Sequence, residues 1–170
     1  YFKGNAKFVF SNIYHKRDKN YIKLDLTKKL KIKKKMFQNV ILMNVLEHLP
    51  NLNNVFKEIN KILKIRGNLI GSTPFIYQVH GAPFDYQRFT KDFFYETFSK
   101  KKYKSVVIKP LGFGPLVASY GLVQTYLRYF PIIKELILIL CYFIDFIIQI
   151  FVKTRLEEIY PVGYFFIIKK

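Results

Sequence analysis

FQNVILMNVLEHLPNLNNVFKEINKILKIRGNLIGSTP, residues 37–74, is the stretch whose reading decides the fold. Val40 to Val45 is a short apolar run, the mark of a strand buried on both faces. Asn51 is placed to open a helix. Leu52, Val55, Phe56, Ile59, Ile62 and Leu63 recur at helical spacing and share one face of it. Gly67 is expected to stop that helix, and Asn68 to Thr73 to form a second strand closed by Pro74. Strand, helix, strand over this length predicts a βαβ unit with parallel strands. Ligands of such sheets bind beyond the carboxyl ends of the strands, here Asn44 to His48 and Ser72 to Phe75.

Outward from this unit, Phe8 to Ile13 and Tyr21 to Leu26 read as earlier strands. Six lysines between Lys28 and Lys35 crowd the connection to residue 37; a solvated loop and an anionic surface contact are both compatible with them. Thr90 is a good N-cap, with Asp92 in the first turn, for a helix bearing Phe93, Phe94 and Phe98. Ser105 to Lys109 is a further strand and Tyr164 to Ile168 the last one. Between them, residues 113–153 read as an amphipathic helical insertion, Gly114 to Tyr129 and Ile132 to Lys153, broken by Pro131. Lys134, Cys141, Asp145, Gln149 and Lys153 fall along one narrow stripe of the second helix.

A chain of 170 residues fits a single domain with a sizeable core, and 51% apolar residues argue against disorder. The net charge of +18 favours anionic partners, nucleic acid or an anionic membrane surface. The joint abundance of Lys, Ile, Asn, Phe and Tyr is also what AT-rich coding would give. The lone Cys141 leaves no internal disulfide and no cysteine metal cluster, and its apolar surroundings predict an inert thiol. No signal sequence is legible ahead of the domain, which makes the cytoplasm the default expectation.

The run VLEHLPNLNNVFKEINKILKIRGNLIGSTP resembles the central part of a class I S-adenosylmethionine-dependent methyltransferase, and the resemblance extends through HGAPFDYQRFT and YPVGYFFIIKK. The run HGAPFDYQRFT is similar to the group found with bacterial surface-polysaccharide genes. The resemblance implies an α/β, Rossmann-like sheet, mostly parallel with an antiparallel last strand, in one domain over 1–170. It also implies S-adenosylmethionine as cofactor and methyl transfer to a small, glycan or lipid-linked acceptor. In the family a strand and a glycine-rich loop precede the position of Phe8. The sequence shows only the misplaced Gly112-Phe113-Gly114, so the reading expects an N-terminally truncated member.

By the same resemblance, Asn12 stands where an acidic residue takes the ribose hydroxyls, and Asp25 and Leu26 stand beside the adenine. Asn44 and Leu46 flank the cofactor at the central turn. Glu47 and His48 are the candidate catalytic pair, with His48 as general base, and both are expected at the pocket edge. Relatives with a Glu-x-x-Glu-His pattern bind a divalent cation here with a later histidine, which His80 could supply; Asn44 replaces the first glutamate. The competing expectation, no metal, has Glu47 and His48 only capping and orienting the next helix. His80, Asp85, Tyr86 and Arg88 lie in a loop placed to close on the acceptor, and Asp85 and Arg88 could instead pair to hold that loop.

Three functions follow: a methyltransferase, a folded but non-catalytic remnant or partner subunit, or a membrane-surface or nucleic-acid module driven by charge. Nucleic acid ranks last, because the aromatic residues form no single-strand stacking motif. The insertion is expected to lie on a membrane surface without crossing it. Its apolar stretch from Leu136 to Val152 is 17 residues and contains Asp145, whereas a span needs about 20 apolar residues.

Overall fold

The computed structural model describes residues 7–13, 21–81, 84–99 and 103–170. Six strands appear among them: β1 (Phe10–Asn12), β2 (Tyr21–Lys23), β3 (Phe37–Met43), β4 (Leu63–Pro74), β5 (Ser105–Leu111) and β6 (Gly163–Lys169). The helices are α1 (Leu52–Ile62), α2 (Lys91–Ser99), α3 (Pro115–Val123), α4 (Pro131–Phe151) and the short α5 (Leu156–Ile159). β1 and β2 pair in parallel as a separate ribbon. The main sheet has the order β3-β4-β6-β5, with β3 and β4 parallel and β6 antiparallel to both its neighbours. β3, β4 and β5 therefore point the same way, and their carboxyl ends share one edge. The fold is the expected α/β sheet with an antiparallel last strand.

The βαβ unit forms, with β3 over Phe37–Met43 in place of Val40–Val45 and with two further corrections. α1 ends at Ile62, and Leu63 already begins β4, so Gly67 lies inside a strand rather than stopping a helix. Residues 63–67 are accommodated by a register shift against β3, with Arg66 at a positive φ of 61°. Secondly, β3 is covered on one face only. Leu42 is buried, whereas Ile41 and Met43 are exposed on the opposite face. The core explains this: α1 contributes Val55, Phe56 and Ile59, and α2 contributes Phe94 and Phe98, to one cluster with Leu69, Ile108, Phe166 and Ile168 of the sheet. Phe56 meets Phe98 edge-on at 4.8 Å, and Phe94 packs on Phe166 at 5.1 Å.

Local chemistry sets the helix boundaries. The Asn51 side chain accepts from the Asn54 N–H at the start of α1, and Thr90 Oγ1 accepts from the Phe93 N–H at the start of α2. Pro131 occupies the first turn of α4, where its missing N–H costs nothing. The strands are shorter than expected at β1 and β2 and longer at β5, which extends through Pro110 to Leu111. Gly71 sits where β4 passes closest to its neighbours; a Cβ there would lie 2.3 Å from both the Leu42 carbonyl oxygen and the Phe166 ring.

Candidate functional site

The candidate site grows from the turn after β3. Asn44 adopts a positive φ of 50°, a conformation asparagine tolerates. Its N–H donates to the Ser72 carbonyl at 2.9 Å, and its Oδ1 accepts from Ser72 Oγ at 2.8 Å. The ends of β3 and β4 are thereby tied together, and a single 3-10 turn, Leu46–His48, follows. Leu46 has no exposed surface and its side chain packs in the core cluster.

Glu47 is also fully enclosed, at 0% exposure, and neither carboxylate oxygen has a hydrogen-bond partner. The expectation that it lies open at the pocket edge is therefore corrected. His48, with 18% of its side chain exposed, and His80, with 33%, stand between Glu47 and solvent. Their Nε2 atoms lie 3.8 and 4.0 Å from Glu47 Oε1. The rings meet edge-on at 5.0 Å. Burial pushes the Glu47 carboxyl above its ordinary range, while the charges of His48, His80 and Arg88 pull it back. The capping role once weighed for this pair belongs to Asn51 instead.

The backbone fixes the tautomers. His48 Nδ1 lies 2.6 Å from the Phe84 carbonyl oxygen, an acceptor, so Nδ1 carries the proton. His80 Nδ1 faces the Gln78 carbonyl and Asp85 Oδ2, both at 3.3 Å and both acceptors. With Nδ1 as the donor, each imidazole turns its Nε2 toward a buried carboxylate. A proton on Nε2, or a cation between the three groups, gives each of them a partner there. The ligand atoms of Glu47, His48 and His80 all lie within 4.8 Å of one another. Two imidazoles with their second nitrogens anchored to acceptors, plus a carboxylate, are a donor set that fits a divalent cation.

The loop after β4 is held in place by its own ion pair. Arg88 engages both oxygens of Asp85, with Nη2 to Oδ2 at 2.7 Å, and donates to the Gln78 carbonyl. Asp85 also accepts from the His80 N–H at 2.9 Å. The guanidinium holds the Asp85 carboxyl well below the usual range. The pairing reading of Asp85 and Arg88 is thus realised, and Asp85 serves to position His80. Tyr86 keeps an exposed ring, and its N–H donates to the Glu47 carbonyl at 2.8 Å. Gln87, not anticipated, ties the loop to the Leu49 carbonyl at 2.8 Å. No sequence signal marks the Phe84 and Gln78 carbonyls, since any residue supplies one.

On the cofactor side the placements are mixed. The Asn12 side chain lies outside the described residues. Asp25 follows β2 and accepts from Thr27 N–H and Oγ1 at 2.9 and 2.6 Å, and these bonds lower its pKa. It borders a cleft of about 570 Å³ also lined by Ile22, Leu24 and Lys28. Leu26 is half-buried against the core. His48 and His80 line neither this cleft nor the one of about 380 Å³ beside Asn51 and Gln87.

Residues 6–71 match the methyltransferase-domain family model. The matched span runs through the Asn44–His48 turn and ends inside β4. No curated protein matches the sequence. A SAM-dependent methyltransferase from Archaeoglobus fulgidus is similar at TM-score 0.55 and 16% identity, covering 89% of this chain and 67% of its own. Phosphoethanolamine N-methyltransferase 2 of Haemonchus contortus, solved with phosphomonomethylethanolamine and S-adenosylhomocysteine, is similar at TM-score 0.54 and 14% identity. It covers 91% of this chain and 38% of its own. The 4+2 cyclase SpnF is similar at TM-score 0.51 and 12% identity, covering 88% of this chain and 55% of its own. At these identities the likeness establishes the fold, and the cyclase shares it with the methyltransferases.

Proposed function

We propose that the chain performs S-adenosylmethionine-dependent methyl transfer to a small, glycan or lipid-linked acceptor, as part of a class I methyltransferase working at a membrane surface. The observation that carries this reading is the family match over residues 6–71; the Asn44–His48 turn within that span follows the carboxyl end of β3, the kind of edge where ligands of such sheets bind. When bound, S-adenosylmethionine supplies an activated methyl group. The residues then have separate duties. Asp25, whose Oδ2 lies 3.3 Å from the exposed Lys28, would supply the acceptor for the adenine amino group. Asn12 and Asn44 lie at the ends of β1 and β3, toward the ribose and methionine parts. His48 receives the acceptor's proton at Nε2, and the Glu47 carboxylate 3.8 Å from that nitrogen stabilises the imidazolium. Glu47 acts through His48 and is a positioning residue. Tyr86 and the His80 loop orient the acceptor, and in-line geometry does most of the remaining work.

The test is a His48→Ala substitution. It is expected to leave S-adenosylmethionine binding intact while removing methyl transfer to extracted glycan and lipid acceptors from labelled cofactor. Unchanged transfer would overturn the role of His48.

The unpartnered Glu47 oxygens favour a second reading of the same residues. Glu47, His48 and His80 would hold a divalent cation that orients the acceptor hydroxyl. Titration calorimetry with Mn2+ and Zn2+ tests it: binding lost in His80→Ala supports the cation, and no saturable heat refutes it.

A further inference from the structure

The helix α4 is turned inside out relative to a surface helix of a water-soluble domain. Asp145 and Gln149 of its polar stripe are turned toward the protein, while Glu135 stays exposed. Asp145, the only fully buried residue of α4, accepts from the Leu116 and Val117 N–H groups at 3.1 and 2.8 Å and so caps α3. Gly114 permits that approach, since a Cβ there would lie 2.5 Å from the Asp145 carboxyl carbon. Gln149 donates to the Val152 and Thr154 carbonyls and accepts from the Leu156 N–H, closing the turn into α5. With Asp145 and Gln149 used inside, the apolar side faces out. Leu136, Ile139, Leu140, Phe143, Phe146 and Ile150 are all exposed, Ile139 at 63% and Phe143 at 60%. The exposed Tyr126, Tyr129 and Phe130 extend the surface ahead of the helix. A monomer in water does not leave so large a continuous apolar face uncovered.

We infer that this face docks on an anionic lipid surface, with α4 lying in the plane of the interface. Charge selects the occupant. Arg128 and Lys134 lie near one end of α4 and Lys153 and Arg155 near the other, on a chain of net charge +18, against the exposed Glu135 and a Glu157 that pairs with Arg155. Anionic headgroups satisfy that charge, whereas a second copy would bring two strongly positive bodies together. Tyrosines at the rim suit the headgroup boundary. Crossing is disfavoured: among the described residues no helix is long and apolar enough to span a membrane, and Asp145 and Gln149 are committed to the protein side. α3 starts beyond the carboxyl end of β5, on the sheet edge that carries the candidate site. The docked helix is therefore anchored at the end of the domain where an acceptor would enter. The docking stands on its own geometry and does not depend on methyl transfer.

Flotation of the full chain with vesicles of phosphatidylglycerol and phosphatidylcholine, without cofactor, tests it. Binding is expected to phosphatidylglycerol vesicles, weaker to phosphatidylcholine alone. It should fall at least about tenfold in an Ile139→Asp, Phe143→Asp double variant, since two large apolar side chains leave the interface. Circular dichroism confirms that this variant remains folded; its substitutions lie on the exposed face. Absence of co-flotation at low salt, or binding unchanged in the double variant, overturns the inference. So does a concentration-dependent dimer abolished by the same substitutions without vesicle binding, which assigns the face to a second copy. Resistance of the membrane-bound protein to alkaline carbonate extraction would also overturn it, in favour of a span.

Discussion

Replacing Asp145 with alanine should detach the helical pair from its fixed orientation. Asp145 is buried and its two oxygens each take one backbone N–H at the start of α3. Deletion of the carboxylate leaves both donors enclosed without partners, at about 1–3 kcal/mol each. It also removes a negative charge from a helix N-terminus, at about 0.3–1 kcal/mol. A total near 3 kcal/mol corresponds to a fall in Tm of about 6–12 °C for a chain of this size. Asparagine keeps one acceptor and turns an NH2 toward the other donor, so Asp145→Asn should lose roughly half as much. Thermal unfolding by circular dichroism reads the magnitude, and hydrogen exchange locates it: the Leu116 and Val117 amides should lose protection before those of β4 and β6. A Tm within about 2 °C of the parent, with both amides still protected, would refute the capping argument, and with it the reason α4 turns its apolar face outward.

Gly71→Ala should destabilise by about 2–3 kcal/mol in urea unfolding, because the new methyl meets the Leu42 carbonyl and the Phe166 ring at 2.3 Å and the strands must part. Asp85 has a folded pKa below its unfolded value, so its contribution is present above the ordinary carboxylate range and lost as pH falls; Asp85→Asn should flatten the acid limb of a stability–pH curve. Glu47 behaves oppositely. Its folded pKa is raised, so its contribution is present below the ordinary carboxylate range and lost as pH rises through the raised value. Glu47→Gln should therefore remove a decline in stability on the neutral side of that range.

The fold was legible where periodicity and capping agree. The α1 face, the Asn51 and Thr90 caps and the Pro131 break each rest on a local rule, and each appears in the structure. Gly67 misled because glycine marks both a helix stop and a strand bulge. Only pairing with β3, a nonlocal event, decides between them. The apolar run of β3 read as buried on both faces because an exposed Ile41 looks the same in sequence as a covered one. At the site, residue types were legible but their exposure was not. Glu47 is enclosed because a loop nearly forty residues later folds over it, with Tyr86 bonded to its carbonyl. The polar stripe of α4 was visible as a stripe, but the burial of Asp145 within it follows from a nonlocal contact with α3.

The central claim is that the carboxyl edge of this sheet receives S-adenosylmethionine, and titration calorimetry with that cofactor tests it most directly. The account predicts saturable one-to-one binding, displaced by S-adenosylhomocysteine and about tenfold or more weaker than in a relative carrying the glycine-rich loop and a carboxylate at the position of Asn12. Binding should be preserved in His48→Ala and weakened about tenfold in Asp25→Ala, the loss of one charge-assisted hydrogen bond. No saturable binding by the parent chain, or binding indifferent to Asp25 and abolished by His48→Ala, would contradict it.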